Sequence, residues 1–258
     1  MVGLDYRHGI SVLEVIVYIP TLIIALWVAY RHGFQRSAGW ITLVIFSLVR
    51  VVGSCCYLAT LGYPSSKDLY VAWAVCSSIG LSPLTISCIG LLSRANGSIK
   101  QPPGQEINQR LFKWLGLATL VAVILSIVGQ VQNTNLGQES SISTLTKAGV
   151  VIFLVTWAGL AFLLFGVASR FGSIEDGERR LVFAVGLSVP LLLVRILYSL
   201  LAVFSHSPDF NMFTGSPTIM LVMAVLEEIA ICVICLGTGI TLSVRKRTDY
   251  NEEYALVR

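Results

Sequence analysis

Five ionisable side chains, Glu14, Arg50, Arg195, Glu227 and Glu228, stand in stretches of this 258-residue chain that are otherwise apolar. Two of them are adjacent, in the middle of "MLVMAVLEEIAICVICLGTGI" at 220–240. A charge placed in hydrocarbon costs at least about 2.5–3.5 kcal/mol, so such residues face a partner or a cavity. Three carboxyls meet two guanidiniums, and an arginine keeps its proton. If all five cluster, one carboxyl lacks a cation, and a buried carboxyl without one favours its neutral form. A protonated carboxyl in an apolar pocket can donate its proton to a substrate. Adjacent residues diverge by about 100° around a helix, so the two glutamates take different roles. On a regular helix Glu227 shares a face with Met220, Met223, Ile231 and Ile234, and Glu228 with Ala224, Cys232 and Cys235. The first face suits an unpaired acid. The second, lined by small residues, suits close contact with another helix and a partner arginine. The same pairs could instead do no more than fix helix register.

The elements that must position these groups follow from composition. Hydrophobic residues make up 55% and charged residues 12% of the chain, whereas a soluble domain carries about a quarter charged. Mean hydropathy is +0.79. Seven apolar runs reach the roughly 20 residues that an α-helix needs to cross a bilayer: about 10–30, 39–61, 69–92, 111–130, 148–168, 181–204 and 218–243. No small-residue cleavage site follows the first, which therefore reads as a retained span. The expected architecture is all-α: a single seven-span bundle over 1–258, ending in a short cytosolic tail at 244–258.

Orientation follows from Lys and Arg. With the N-terminus outside, the inner segments hold thirteen basic residues and the outer ones three, Arg7, Lys67 and Lys147, a strong positive-inside bias. The net charge of +4 is thus topology, and nucleic acid is not an expected partner. From the 1.5 Å rise per residue, Arg50, Arg195 and Glu227 lie about 14–16 Å below the outer ends of their spans, and Glu14 about 6–8 Å. Tyr18, Tyr57 and Tyr198 lie near the same charges and could line a cavity whose π-faces stabilise positive charge. Pro20, Pro83 and Pro190 can kink spans and free carbonyls, or simply face lipid.

Several chemistries drop out. No span interior holds a lysine to anchor a retinal Schiff base in the manner of microbial rhodopsins. No acid-rich motif suggests Mg²⁺, and the three histidines are scattered, so no metal or other cofactor is expected. The six cysteines all fall inside spans and read as small apolar packing residues. Asn96-Gly97-Ser98 matches a glycosylation sequon but falls in an inner loop, where it should stay unmodified. No internal repeat of the transporter kind is visible.

The stretches "LEVIVYIP" at 13–20, "RHGF" at 31–34, "GW" at 39–40, "IGLSPL" at 79–84, "VPLLLVRILYSLLAVF" at 189–204 and "LEE" at 226–228, together with Arg50, resemble a fungal seven-span family. That family is related to the membrane-bound terpene cyclases of meroterpenoid biosynthesis, of the ascofuranone and macrophorin type. The resemblance implies a fungal enzyme of secondary metabolism in the endoplasmic reticulum membrane, acting as an isomerase or lyase on a lipophilic prenylated molecule. An acid would protonate a terminal epoxide or alkene, and carbocation cyclisation and quenching would follow without metal. On that reading Glu227, Glu228 and Glu14, with Arg50 and Arg195, form the catalytic set, and Tyr18, Tyr57 and Tyr198 bind substrate. The cavity is expected to be largely apolar, open toward the outer leaflet between spans one, two, six and seven. Two alternatives of other classes are a lipid or small-molecule transporter and a receptor or structural membrane protein.

Overall fold

The computed structural model describes residues 5–32, 38–99, 107–135, 143–175, 177–205, 210 and 215–242. Seven helices in it are long and apolar enough to cross a membrane. Span one is α1 (Tyr6–His32) and span two is α2 (Ala38–Ala59). Span three runs from Lys67 to Asn96 in two pieces, α3 (Lys67–Ile79) and α4 (Leu81–Asn96). Spans four, five and six are α5 (Gln109–Asn135), α6 (Thr144–Ala168) and α7 (Arg179–Phe204). Span seven begins with α8 (Pro217–Met220), passes through a π-helical turn at Leu221–Val225, and continues as α9 (Leu226–Thr241). The protein is a multi-pass integral membrane protein of all-α, seven-span fold.

Lipid offers no hydrogen bonds to backbone groups, so each crossing segment must satisfy its own, which a helix does. The outer surface is accordingly greasy: Ile16, Val155, Phe162, Phe165 and Val233 are exposed. Sequence neighbours pack side by side, the α3/α4 span lies against α2, α5 and α7, and α9 closes against α1 and α7. Two close approaches depend on missing side chains. At the α5–α6 crossing a Cβ on Gly129 would stand 2.3 Å from Thr146 Oγ1, and one on Gly149 2.3 Å from Ser126 Oγ. Such small-residue contacts are the usual way that helices approach in lipid.

Two irregularities matter for the site. Pro83 has no N–H to give the Ile79 carbonyl, and its ring crowds that oxygen; the helix breaks at Gly80, one residue later than Ile79. In span seven the Leu226 N–H reaches back five residues to the Leu221 carbonyl, which inserts one extra residue into that turn. Pro20 and Pro190, by contrast, face outward, so these two prolines present their rings to lipid and open no cavity.

The loop ends are also built. Asn96, fully enclosed, donates from Nδ2 to the Ile107 carbonyl at 2.8 Å and accepts from the Ile107 N–H at 3.1 Å. Ile99 forms an isolated antiparallel bridge with Ile174. The sequon asparagine is thus a structural clamp with no free amide.

Candidate functional site

Near the N-terminal end of α1, four of the five intramembrane charges meet. Glu228 is completely buried. Its Oε1 accepts from Arg195 Nε at 2.8 Å, and its Oε2 touches Arg50 Nη2. Arg50 Nη1 lies 3.5 Å from Glu14 Oε1. The Ser54 hydroxyl is 2.6 Å from Glu14 Oε2 and 2.9 Å from the Arg50 carbonyl. It has one hydrogen to give, and the carboxylate is the stronger acceptor. Arg195 also donates to Ser199 Oγ at 2.6 Å and to the Ser77 carbonyl at 3.3 Å. The quartet carries two positive and two negative groups. It ties spans one, two, six and seven together, with span three joined through Ser77.

The two helix irregularities shape this cluster. At Gly80 a Cβ would lie 2.9 Å from Arg50 Nη2 and 3.2 Å from its Cζ, so the guanidinium rests against bare backbone where Pro83 breaks the span. The π-turn displaces the start of span seven relative to α9. In a regular helix Met220 and Glu227, seven residues apart, share a face. Here Met220, Ala224 and Val225 line the cavity beside the quartet and Glu227 does not.

That cavity has a volume of about 30 Å³ and is bordered by Arg7, Glu14, Arg50, Arg195, Tyr57, Trp73 and Tyr198, among others. Arg195 lies over the Tyr198 ring at 5.7 Å, and Tyr57 packs on Trp73 at 4.8 Å. Arg7, which also lines the cavity, donates to the Gly215 carbonyl, linking α1 to the approach to span seven. The cavity therefore adjoins the spans expected from the sequence and its lining is mostly apolar, as expected, but it is small and several charged groups border it.

The expected site residues separate into three groups. Glu14, Arg50, Arg195 and Glu228 come together, and Tyr57 and Tyr198 line the adjoining cavity. Tyr18 does not: it is fully buried against Phe46, ring centroids 5.4 Å apart, with no partner for its hydroxyl. Glu227 does not either. It is half-buried, outside the cavity lining, and no cation pairs with it among the described residues. The acid left over in the charge count is therefore placed where it meets no pocket. Sequence reasoning passed over Arg7, Ser54, Trp73, Ser77 and Gly80; Arg7 precedes the apolar run, and the others carry no charge to mark them.

A second polar cluster lies at the opposite end of the bundle. Arg94 grips both oxygens of Glu178, at 2.8–3.1 Å, and its Nη1 is 3.5 Å from His32 Nδ1. His32 Nε2 is 3.0 Å from the Gly239 carbonyl, and Arg31 donates to the Ile240 carbonyl at 2.8 Å. Between the two clusters Trp40, Leu43, Phe46, Leu84, Leu92, Leu192, Ile196 and Ile231 form a closed apolar core.

A family profile described as a domain of unknown function, DUF7702, matches residues 4–245. The chain belongs to the DUF7702 family. No curated protein matches it in sequence. Among solved structures, a rhodopsin from Exiguobacterium sibiricum shares its fold with a TM-score of 0.54 at 11% identity, over 91% of this chain and 93% of that one. The expectation of a terpene cyclase is overturned by this likeness to a rhodopsin, and the site gives the physical reason. In the DUF7702 chain Glu228 accepts from Arg195 and touches Arg50, and Glu14 accepts from Ser54 and pairs with Arg50 at 3.5 Å. Glu227 stands off the cavity, so among the described residues no acid without a partner lines it. Ligand pockets run to about 300–1,000 Å³, so a cavity of about 30 Å³ cannot fold a prenyl chain into rings.

Proposed function

We propose that this DUF7702 chain is a receptor-type seven-span membrane protein whose small cavity responds to a noncovalently bound ion or polar ligand of a few atoms. The observation that carries the reading is the buried quartet Glu14–Arg50–Glu228–Arg195. It joins four spans at one level and adjoins the cavity, so a ligand that competes for one guanidinium or carboxylate changes how those spans are held. A fold shared with a rhodopsin supports a receptor class over an enzyme. Covalent attachment through a Schiff base is not part of the reading, because the lysines among the described residues, Lys67, Lys113 and Lys147, lie within the first two turns of their helices. The closed apolar core below the quartet favours a signalling bundle over a transport path. With the Lys and Arg excess setting the Arg94 end in the cytosol, the cavity faces the lumen or exterior.

The test is a thermal-shift screen of small inorganic ions and polar solutes of a few atoms, run in parallel on wild type and Ala224→Trp. The indole fills the cavity that Ala224 lines. The reading expects compounds that raise the wild-type melting point and leave Ala224→Trp unmoved. Hits that shift both proteins equally report a general salt or solvent effect, and solute flux through proteoliposomes that depends on the protein reports a transporter. Either outcome sinks the receptor reading.

A further inference from the structure

The cluster around His32, at the end of the bundle remote from the cavity, has a donor–acceptor pattern that admits one protonation state. Gly239 offers only a carbonyl oxygen, 3.0 Å from Nε2, so that nitrogen carries a hydrogen and donates. Arg94 offers only N–H groups, 3.5 Å from Nδ1, so that nitrogen must be bare and accept. The ring is therefore the neutral Nε2–H tautomer. It is enclosed on one face by the Trp40 indole, stacked at 5.7 Å and 22°.

The two sides of the ring belong to different parts of the bundle. The Gly239 and Ile240 carbonyls lie in the last turn of α9, where no intrahelical donor remains for them. His32 and Arg31, both in the last turn of α1, cap them. The other side belongs to α4 and α7: Arg94 is held by Glu178, the N-cap residue of α7, where the helix dipole favours an acid. The imidazole thus adds a polar link between the α1–α9 and α4–α7 sides at this end, beside the direct packing of α7 on α9.

We propose that His32 is a proton-sensitive latch: neutral, it joins the two helix pairs at this end of the bundle, and protonated, it stays with α9 and releases Arg94. A hydrogen added at Nδ1 points at the guanidinium, replacing a hydrogen bond by contact between like charges. The Nε2–H bond to Gly239 survives, strengthened by charge and by the carbonyl end of the α9 dipole. Among the described residues the charged groups facing the ring are Arg31 on its own helix, Arg94 on α4 and Glu178 at the start of α7. Glu178 already gives both oxygens to Arg94, so it cannot take up His32 without loosening that grip. Either way the seam opens on the α4–α7 side. The latch is read from this cluster alone and stands whether or not the remote cavity takes a ligand.

The test uses the full chain in lipid nanodiscs from about pH 8 to about pH 4.5, which brackets imidazole titration. Hydrogen exchange, corrected for its intrinsic pH dependence, is followed in the peptides containing 93–99 and 171–179. Wild type should lose protection there about tenfold on acidification. His32→Gln, whose amide can donate to Gly239 and accept from Arg94 but takes no proton, should be flat. His32→Arg should be unprotected at both ends of the range. If His32→Gln loses protection as wild type does, another group titrates and the proposal falls. Should the variants fold poorly, ¹⁵N-histidine spectra of wild type decide alone. The chain has three histidines, so single replacements of His8 and His206 assign His32. An Nδ1–H tautomer at neutral pH, or a charged ring with exchange unchanged, overturns the latch.

Discussion

Replacing Glu228 by Gln tests the quartet directly. The side chain keeps its shape but loses the charge that both Arg50 and Arg195 contact. Arg50 retains Glu14 at 3.5 Å, whereas Arg195 keeps only neutral partners, Ser199 and the Ser77 carbonyl. The cluster passes from two positive and two negative groups to two and one, at a site where Glu228 has no exposure. Breaking a buried pair by removing one partner costs about 3–5 kcal/mol, because the other charge stays buried. At roughly 2–4 °C per kcal/mol for a chain of this size, the melting point should fall by about 6–20 °C. The assay is thermal denaturation of purified protein in one detergent, read by size-exclusion fluorescence. Glu227→Gln is the internal control: half-buried and without a cationic partner, it should cost no more than about 0.5 kcal/mol. Glu228→Gln combined with Arg195→Gln returns the cluster to one charge of each sign and should recover part of the loss, with a coupling of about 0.5–3 kcal/mol. A Glu228→Gln melting point within about 2 °C of wild type, or an equal fall for Glu227→Gln, would show that the contacts do not carry the stability assigned to them.

Gly80→Ala should lower the melting point by the equivalent of about 1–3 kcal/mol, because its Cβ would sit 2.9 Å from Arg50 Nη2; Gly237→Ala, with open space around it, should be neutral or slightly stabilising, and equal behaviour of the two would refute the close approach. Tyr18→Phe removes a buried hydroxyl that has no partner, so it should leave stability unchanged or raise it by about 1 kcal/mol; a fall of several degrees would mean that the hydroxyl is bonded. Asn96→Ala should cost about 1–3 kcal/mol through the two bonds lost to Ile107. In a eukaryotic host the wild-type protein should show no endoglycosidase-sensitive mass at Asn96.

The seven spans were legible in the sequence because their signal is local. A run of apolar residues long enough for the bilayer must become a helix, whatever surrounds it. The rarity of charge inside those runs equally marked Glu14, Arg50, Arg195 and the Glu227–Glu228 pair, since the cost of placing a charge in lipid is a property of the residue and not of the fold. Where the glutamate without an arginine would stand was not local. A regular helical wheel puts Met220 and Glu227 on one face, but the π-turn at Leu221–Val225 inserts a residue that no periodicity announces. Glu227 therefore stands outside the cavity lining that Met220 joins, while Glu228 takes both arginines. The volume of the cavity was likewise beyond reach, because it depends on how closely helices approach, as where Arg50 of span two rests against bare Gly80 of span three. The Arg94–Glu178–His32 cluster was invisible for a related reason. Its members lie at helix ends, where charge costs little and carries no signal, and only the packing of α1, α4, α7 and α9 brings them within hydrogen-bonding distance.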